Sequence, residues 1–225
     1  MVGTVIQWPD NLLRTALPAT PYLDANTRQG QPDLSGKTQI ISTGMQIWKL
    51  TLELAIEGDP DLVRSFNAFL AQMKGMANIA EFSIYDCHAY DARVSPAQNP
   101  FSTGEYFSTG YGFKGDGVQP VVASAASAIG DTTITVSTTD PIIAPLRVGD
   151  YFSHNNFLHI VTGWSSGVVS FLPALRSAVA IDDVLATTPP IVRMRFASDG
   201  EGRHQRTING YRPTLSLNFV EVFDR

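Results

Sequence analysis

The stretch GMQIWKLTLELAIEGDPDLVRSFNAFLAQMKGMANIAEFSIYD, residues 44–86, changes its hydrophobic period twice. In its first part Trp48, Leu50, Leu52 and Leu54 alternate with Lys49, Thr51 and Glu53, the period of a half-buried strand. Asp59 is then placed to cap a helix. Pro60 suits the first helical position, where its missing N–H costs nothing, and Asp61 adds negative charge near the positive end of the dipole. Leu62, Phe66, Phe69, Leu70 and Met73 recur at helical spacing, Arg64, Asn67 and Gln72 face away, and Gly75 is the expected left-handed stop. The spacing predicts a helix over 60–74. IAEFSIYD, 79–86, returns to an extended pattern, so the stretch reads as strand, helix, strand, with the helix on the apolar face of the strands.

The remainder reads as β. Residues 2–37 form an expected extended arm rich in Pro, Asn, Thr and Gly, with IQWPDNLL as its apolar island. Residues 87–117 carry Gly, Ser, Pro and scattered aromatics without a sustained period, and are expected to be a long loop with aromatic contacts. TTITVS (132–137), GDYFSHNNFLHIVTGW (149–164), GVVSFLP (167–173) and DDVLA (182–186) are short extended runs between turn residues, the pattern of a small antiparallel barrel. In IVRMRF, Val192, Met194 and Phe196 alternate with Arg193 and Arg195. In TLSLNFVEVF the alternation of Leu215, Leu217 and Phe219 slips through Val220 and Val222, which predicts a bulge. These last strands should complete the sheet begun before the helix. The expected organisation is a core domain of 1–117 and 188–225 with an inserted β-module over 118–187.

Composition narrows the function classes. The chain has 225 residues, enough for one sizeable core or a core with an insertion. Charged residues make up 16%, against a usual quarter, so much of the surface should be neutral and suited to burial against neighbours. A net charge of −5 and a pI near 5.3 leave no basic footprint for nucleic acid or an anionic membrane. MVGTVIQWPDNLL does not have the pattern of a secretory leader, no apolar run suits a membrane span, and synthesis in the cytoplasm is the expectation. Cys87, the single cysteine, has no partner for an intrachain disulfide and no nearby Lys or Arg to activate it.

Several motifs suggest chemistry. Gly163-Trp164-Ser165-Ser166-Gly167 matches G-x-S-x-G, and Asp182 or Asp183 and His204 follow in the order of a serine hydrolase. That chemistry needs a strand-to-helix elbow, whereas Ser165 lies between two β-runs, at the tip of a hairpin. Gly110, Gly112 and Gly115 match a dinucleotide fingerprint but lack its strand and helix. Asp86, His88 and Asp91 could ligate a divalent ion, although such a group after a strand end suits a solvated turn. His154 and His159, five apart in one extended region, should point to opposite faces. No catalytic set, metal or cofactor survives this reading, and a non-enzymatic role is expected. Tyr106, Phe107, Tyr111, Phe113, Arg203, Arg206 and Arg212 are the candidate subunit or partner contacts.

Residues 44–86, with their Trp-bearing strand, AFLAQMKG helix and closing aromatic and Asp, resemble minor tail proteins of long-tailed, siphovirus-like bacteriophages. LRVGDYFSHNNFLHIVTGW and LPALRSAV are similar to a small β-module found in such proteins, and VRMRFASDGEG and SLNFVEVF to their closing strands. Among these, the distal tail hub family is the closest resemblance. It implies a tail-tube-like β-sandwich flanked by a helix, with copies closing into a hexameric ring in the virion tail. The ring would join the tail tube protein to tip or baseplate proteins while DNA passes the channel without specific binding. Glu53, Glu57, Asp59 and Asp61 are then candidate channel-lining acids. The departure is a small internal β-module in place of the family's large galectin-like C-terminal domain. The alternative is a receptor- or carbohydrate-binding tail module with Trp164, Tyr151 and Phe157 as stacking residues, although large apolar side chains of this kind more often fill a barrel core.

Overall fold

A computed structural model describes residues 3–9, 21–32, 34–42, 44–54, 60–84, 97–99, 113–115, 121–137, 146–187, 189–203 and 215–223. The protein is mainly β with one α-helix among the described residues. The chain divides into two compact units, Met1–Ile84 with Ile191–Arg225, and Tyr85–Pro190.

The first unit is built on a six-stranded mixed sheet. Its strands are β1 (Val5–Gln7), β2 (Tyr22–Asp24), β5 (Ile47–Leu54), β6 (Ile79–Ser83), β15 (Ile191–Phe196) and β16 (Leu215–Glu221), in the order β1-β6-β15-β16-β5-β2. Only β1 with β6 is parallel; the other neighbours are antiparallel. The strands on either side of the helix, β5 and β6, are therefore not neighbours. The returning chain inserts β15 and β16 between them, so the closing strands complete the sheet as expected, from its centre.

Alternation decides which face is buried. Trp48, Leu50, Leu52 and Leu54 of β5, Phe82 of β6, Val192, Met194 and Phe196 of β15, and Leu217 and Phe219 of β16 are all buried. Helix α1 (Pro60–Met73) contributes Phe66, Phe69 and Met73 to the same core. Trp8, just past β1, joins them: its ring lies 4.8 Å from Phe69, 5.0 Å from Phe82 and 6.1 Å from Phe219. Phe196 and Phe219, 4.9 Å apart, extend this aromatic cluster, whose edge-to-face contacts add to simple area burial. The opposite face is polar. Arg193 Nε donates to Glu81 Oε2 at 2.8 Å, Gln7 Nε2 donates to Glu81 Oε1 at 2.6 Å, and Thr51 Oγ1 donates to Asn218 Oδ1 at 3.0 Å.

Three local readings need correction. The helix ends one residue early: Lys74 already takes the left-handed conformation at φ 50°, ahead of Gly75 at φ 65° and a 3-10 turn over Gly75–Ala77. Contacts with the segment after β15 accompany this ending, since Asp199 Oδ1 accepts the Met76 N–H at 3.0 Å. The bulge expected near Val220 is absent. Pairing of β16 with β5 is regular from Leu215 to Val220, and the residue continuing the inward phase after Phe219 is Glu221, a buried carboxylate that accepts the Trp48 N–H at 3.2 Å. A polar residue in an apolar register imitated a phase slip. Finally, the segment read as a loop over 87–117 contains a two-stranded pairing of β7 (Ala97–Asn99) with β8 (Phe113–Gly115).

In the second unit, β9 (Val121–Val122), β10 (Thr133–Thr135), β11 (Tyr151–His154), β12 (Phe157–Ser165), β13 (Val168–Leu172) and β14 (Val184–Leu185) pair antiparallel. A four-stranded sheet, β10-β13-β12-β11, and the pair β14-β9 are linked by bridges at Ala123 with Val136 and Ser153 with Ala186. The sheet, the pair and the bridges together form a half-barrel, the coarser form of the small barrel that the turn spacing suggests. The core inside holds Val121, Ile134, Val161, Val169, Phe171 and Leu185, among others. A bulge sits here: the register shifts between Val161 and Gly163, and Trp164 is brought opposite Val169, packed against the core.

Candidate functional site: an exposed ribbon and a buried histidine relay

Two features stand out from a background of core and solvated polar face. The first is a ribbon of β3 (Thr27–Gln29) and β4 (Ile40–Ser42), which continues the chain beyond the β2–β5 pair. Every residue of both strands is exposed. Ile40 is 69% and Ile41 54% exposed, and Leu34 and Met45 beside the ribbon are exposed too. Adjacent strand residues point to opposite faces, so Ile40 and Ile41 present apolar surface on both sides of the ribbon. An isolated two-stranded ribbon is marginal in water, and apolar side chains on both faces suit burial by a partner.

The second feature is a polar cluster on the barrel-like unit. The run 149–164, read as one extended region, is a hairpin. Asn155 and Asn156 form its two-residue turn, with φ of 50° and 61°, a conformation that asparagine tolerates. Phe152 pairs with His159 and His154 with Phe157, so both histidines lie on one face and the opposite-face expectation is overturned. The parity argument failed because the chain reverses between them.

His154 is buried and held at both ring nitrogens. Nε2 lies 3.2 Å from Asp183 Oδ2, and Nδ1 lies 3.1 Å from Ser177 Oγ. A carboxylate only accepts, so Nε2 carries a proton; in the neutral ring Nδ1 then accepts from the Ser177 hydroxyl. Asn155 Nδ2 donates to the same Oγ at 3.2 Å. The Ala180 N–H, donating to Asp183 Oδ2 at 2.8 Å, chiefly holds the Asp183 carboxyl below its ordinary range; burial pushes back upward, and His154 lowers it further. His159 is buried differently. Its ring stacks on Phe152 at 5.1 Å and meets Phe171 edge-on at 5.1 Å, and its Nδ1 donates to the Pro173 carbonyl at 2.9 Å. Nε2 is buried without a hydrogen-bond partner. Burial, chiefly, lowers the His159 pKa to about 4, so this ring is neutral.

The residues singled out in the sequence are mostly dispersed. Glu53 is exposed on the polar face of the first sheet, whereas Asp61 is on α1, across the sheet, paired with Arg64 at 3.1 Å. Arg203 is exposed. The Phe113 backbone pairs with Asn99 in the β7–β8 ribbon. Glu57, Asp59, Cys87, Tyr106, Phe107, Tyr111, Arg206 and Arg212 lie outside the described residues, as do Asp86, His88, Asp91 and His204. Ser165 does end β12, next to the Ser166-Gly167 turn of a hairpin. Asp183 meets a different histidine from the one its motif order suggested. Of the three stacking candidates, Phe157 is buried, Trp164 is packed on the core and Tyr151 is half-buried. Among the described residues no group of three His, Cys, Asp or Glu is placed to hold a metal ion, and no helix is long and apolar enough to cross a membrane. The Ser177 relay carried no sequence signal, because its members are 23 and 29 residues from His154 and share no period.

No protein-family model matches the chain, and no curated protein is significantly similar to it.

Proposed function

We propose that this protein is a structural component of a bacteriophage tail, a tail-tube-like subunit that assembles into a ring at the distal end of the tube. The observation that carries the reading is the β3–β4 ribbon, exposed throughout and apolar on both faces at Ile40 and Ile41. Such a ribbon suits insertion between copies, and a head-to-tail contact of this kind generates a ring when the rotation closes. The low share of charged residues and the sequence resemblance support the same reading. In it, the sheet and helix of the first unit form part of a sandwich-like core. Six copies surround a channel through which DNA passes without specific binding, and the tail tube and the tip proteins dock on opposite sides of the ring. In this reading Glu53, exposed on the polar face of the sheet, would be the acid that faces the channel. The chain would be made in the host cytoplasm and reside in the virion.

Light scattering of the purified protein over a range of concentrations, followed by negative-stain imaging, tests this. A hexamer with a central hole is expected. Ile40→Asp with Ile41→Asp should reduce it to folded monomers. A native protein that stays monomeric when mixed with its tail-tube neighbour would sink the proposal.

A further inference from the structure

The cluster of Ser177, His154 and Asp183 is arranged for chemistry that ring assembly does not require. We propose that Ser177 is a base-activated nucleophile that accepts acyl groups from small activated esters. The inference does not rest on the assembly reading.

The donor and acceptor roles are those of a nucleophile, base and orienting acid in series. The Ser177 hydroxyl donates to His154 Nδ1, the opposite nitrogen donates to Asp183, and the carboxylate fixes the tautomer that leaves Nδ1 basic. The two ring nitrogens exchange roles relative to the usual serine hydrolase order, yet each does one job and proton transfer is equivalent. The Ala180 N–H anchors the carboxylate oxygen that faces the ring. Access exists on the outer side: Ser177 is half-buried, and Asn155 and Ala178 beside it are exposed. The Ala178 N–H has no acceptor among the described residues, and it follows the nucleophile by one residue, where acyl-transfer sites place an oxyanion donor. Ser177 lies between half-buried Arg176 and exposed Ala178, and a half-buried hydroxyl suits a small acyl group with a good leaving group.

In the step proposed, Ser177 Oγ attacks the ester carbonyl carbon while His154 Nδ1 takes the hydroxyl proton. The tetrahedral oxyanion collapses, the bond from carbon to the leaving alcohol breaks, and His154 returns the proton to that alcohol. Water then attacks the acyl-serine by the same proton path, releasing the acid and restoring Ser177. No redox partner or metal is needed for the balance.

The test uses the full chain with a fluorophosphonate, followed by intact mass and peptide mapping, and with p-nitrophenyl acetate. A single adduct on Ser177 is expected, absent in Ser177→Ala. His154→Gln should slow labelling by about a hundredfold, the contribution of a positioned base. Because His154 is buried and its loss can unfold the unit, Asp183→Asn at the more exposed end of the relay is the second variant, with a slowing of at least about tenfold expected. Failure of the folded native protein to label, labelling spread evenly over surface serines, or an unchanged rate in folded Asp183→Asn would each overturn the proposal.

Discussion

Two buried rings show how much depends on what surrounds a single side chain. Phe66 is fully buried under α1, so Phe66→Ala removes a large apolar surface and leaves a cavity. A loss of about 3 to 5 kcal/mol in urea unfolding is expected, and a loss under about 1 kcal/mol would mean the helix packs on another face. His159 makes a prediction about pH. Its folded pKa, about 4, lies below its ordinary 6.5, so above pH 6.5 both folded and unfolded states hold it neutral and it adds no pH dependence. As pH falls from 6.5 toward 4 the unfolded chain takes the proton first, and stability declines by about 3 kcal/mol. Geometry explains why: the folded ring already uses its Nδ1 proton on Pro173, and a second proton on Nε2 would meet apolar packing. His159→Gln should flatten the difference in unfolding free energy between pH 7.5 and pH 4.5 relative to the native chain; parallel curves would refute the assignment.

At the scale of elements, helix α1 is specified by its apolar spacing, and its ending involves a neighbour. Lys74 adopts a left-handed backbone that costs a side-chain-bearing residue energy, while Gly75 is kept small by Asp199, which a Cβ at that position would strike. Lys74→Gly should therefore raise stability by about 0.5 to 1 kcal/mol in thermal or urea unfolding, because the relief of strain exceeds the added freedom of the unfolded chain. A destabilisation would show that the lysine side chain contributes to the C-terminal turn. Gly202 makes the same point from the other side. Its φ is 75°, and a Cβ there would run into Leu70 of the helix, so the segment after β15 and the helix can approach this closely only with glycine.

For the whole molecule, the prediction concerns association. If Ile40 and Ile41 are buried between copies, each ring contact loses apolar area when both become aspartate, and the hexamer should dissociate while the far-ultraviolet circular dichroism of the monomer is preserved. Burial of the ribbon should also protect its backbone amides from hydrogen exchange in the assembled state and not in the dissociated variant. Equal exchange in both would place the contact elsewhere.

What the sequence determined by itself was local and periodic. The inward set Trp48, Leu50, Leu52 and Leu54, the helix face of Phe66, Phe69 and Met73, and the short strands of the second unit were legible because burial imposes a period of two or of 3.6 on adjacent residues. Trp8 was visible only as part of an apolar island, and its place at the centre of the aromatic cluster came from the parallel pairing of β1 with β6, 74 residues away. Tertiary structure alone decided the insertion of β15 and β16 between β5 and β6, the inward Glu221 that mimicked a bulge, and the turn at Asn155-Asn156 that put both histidines on one face. It alone brought Asp183 and Ser177 to His154. Contacts between residues far apart in the chain leave no spacing to read; they exist only once the sheets have closed and the apolar faces have chosen their partners.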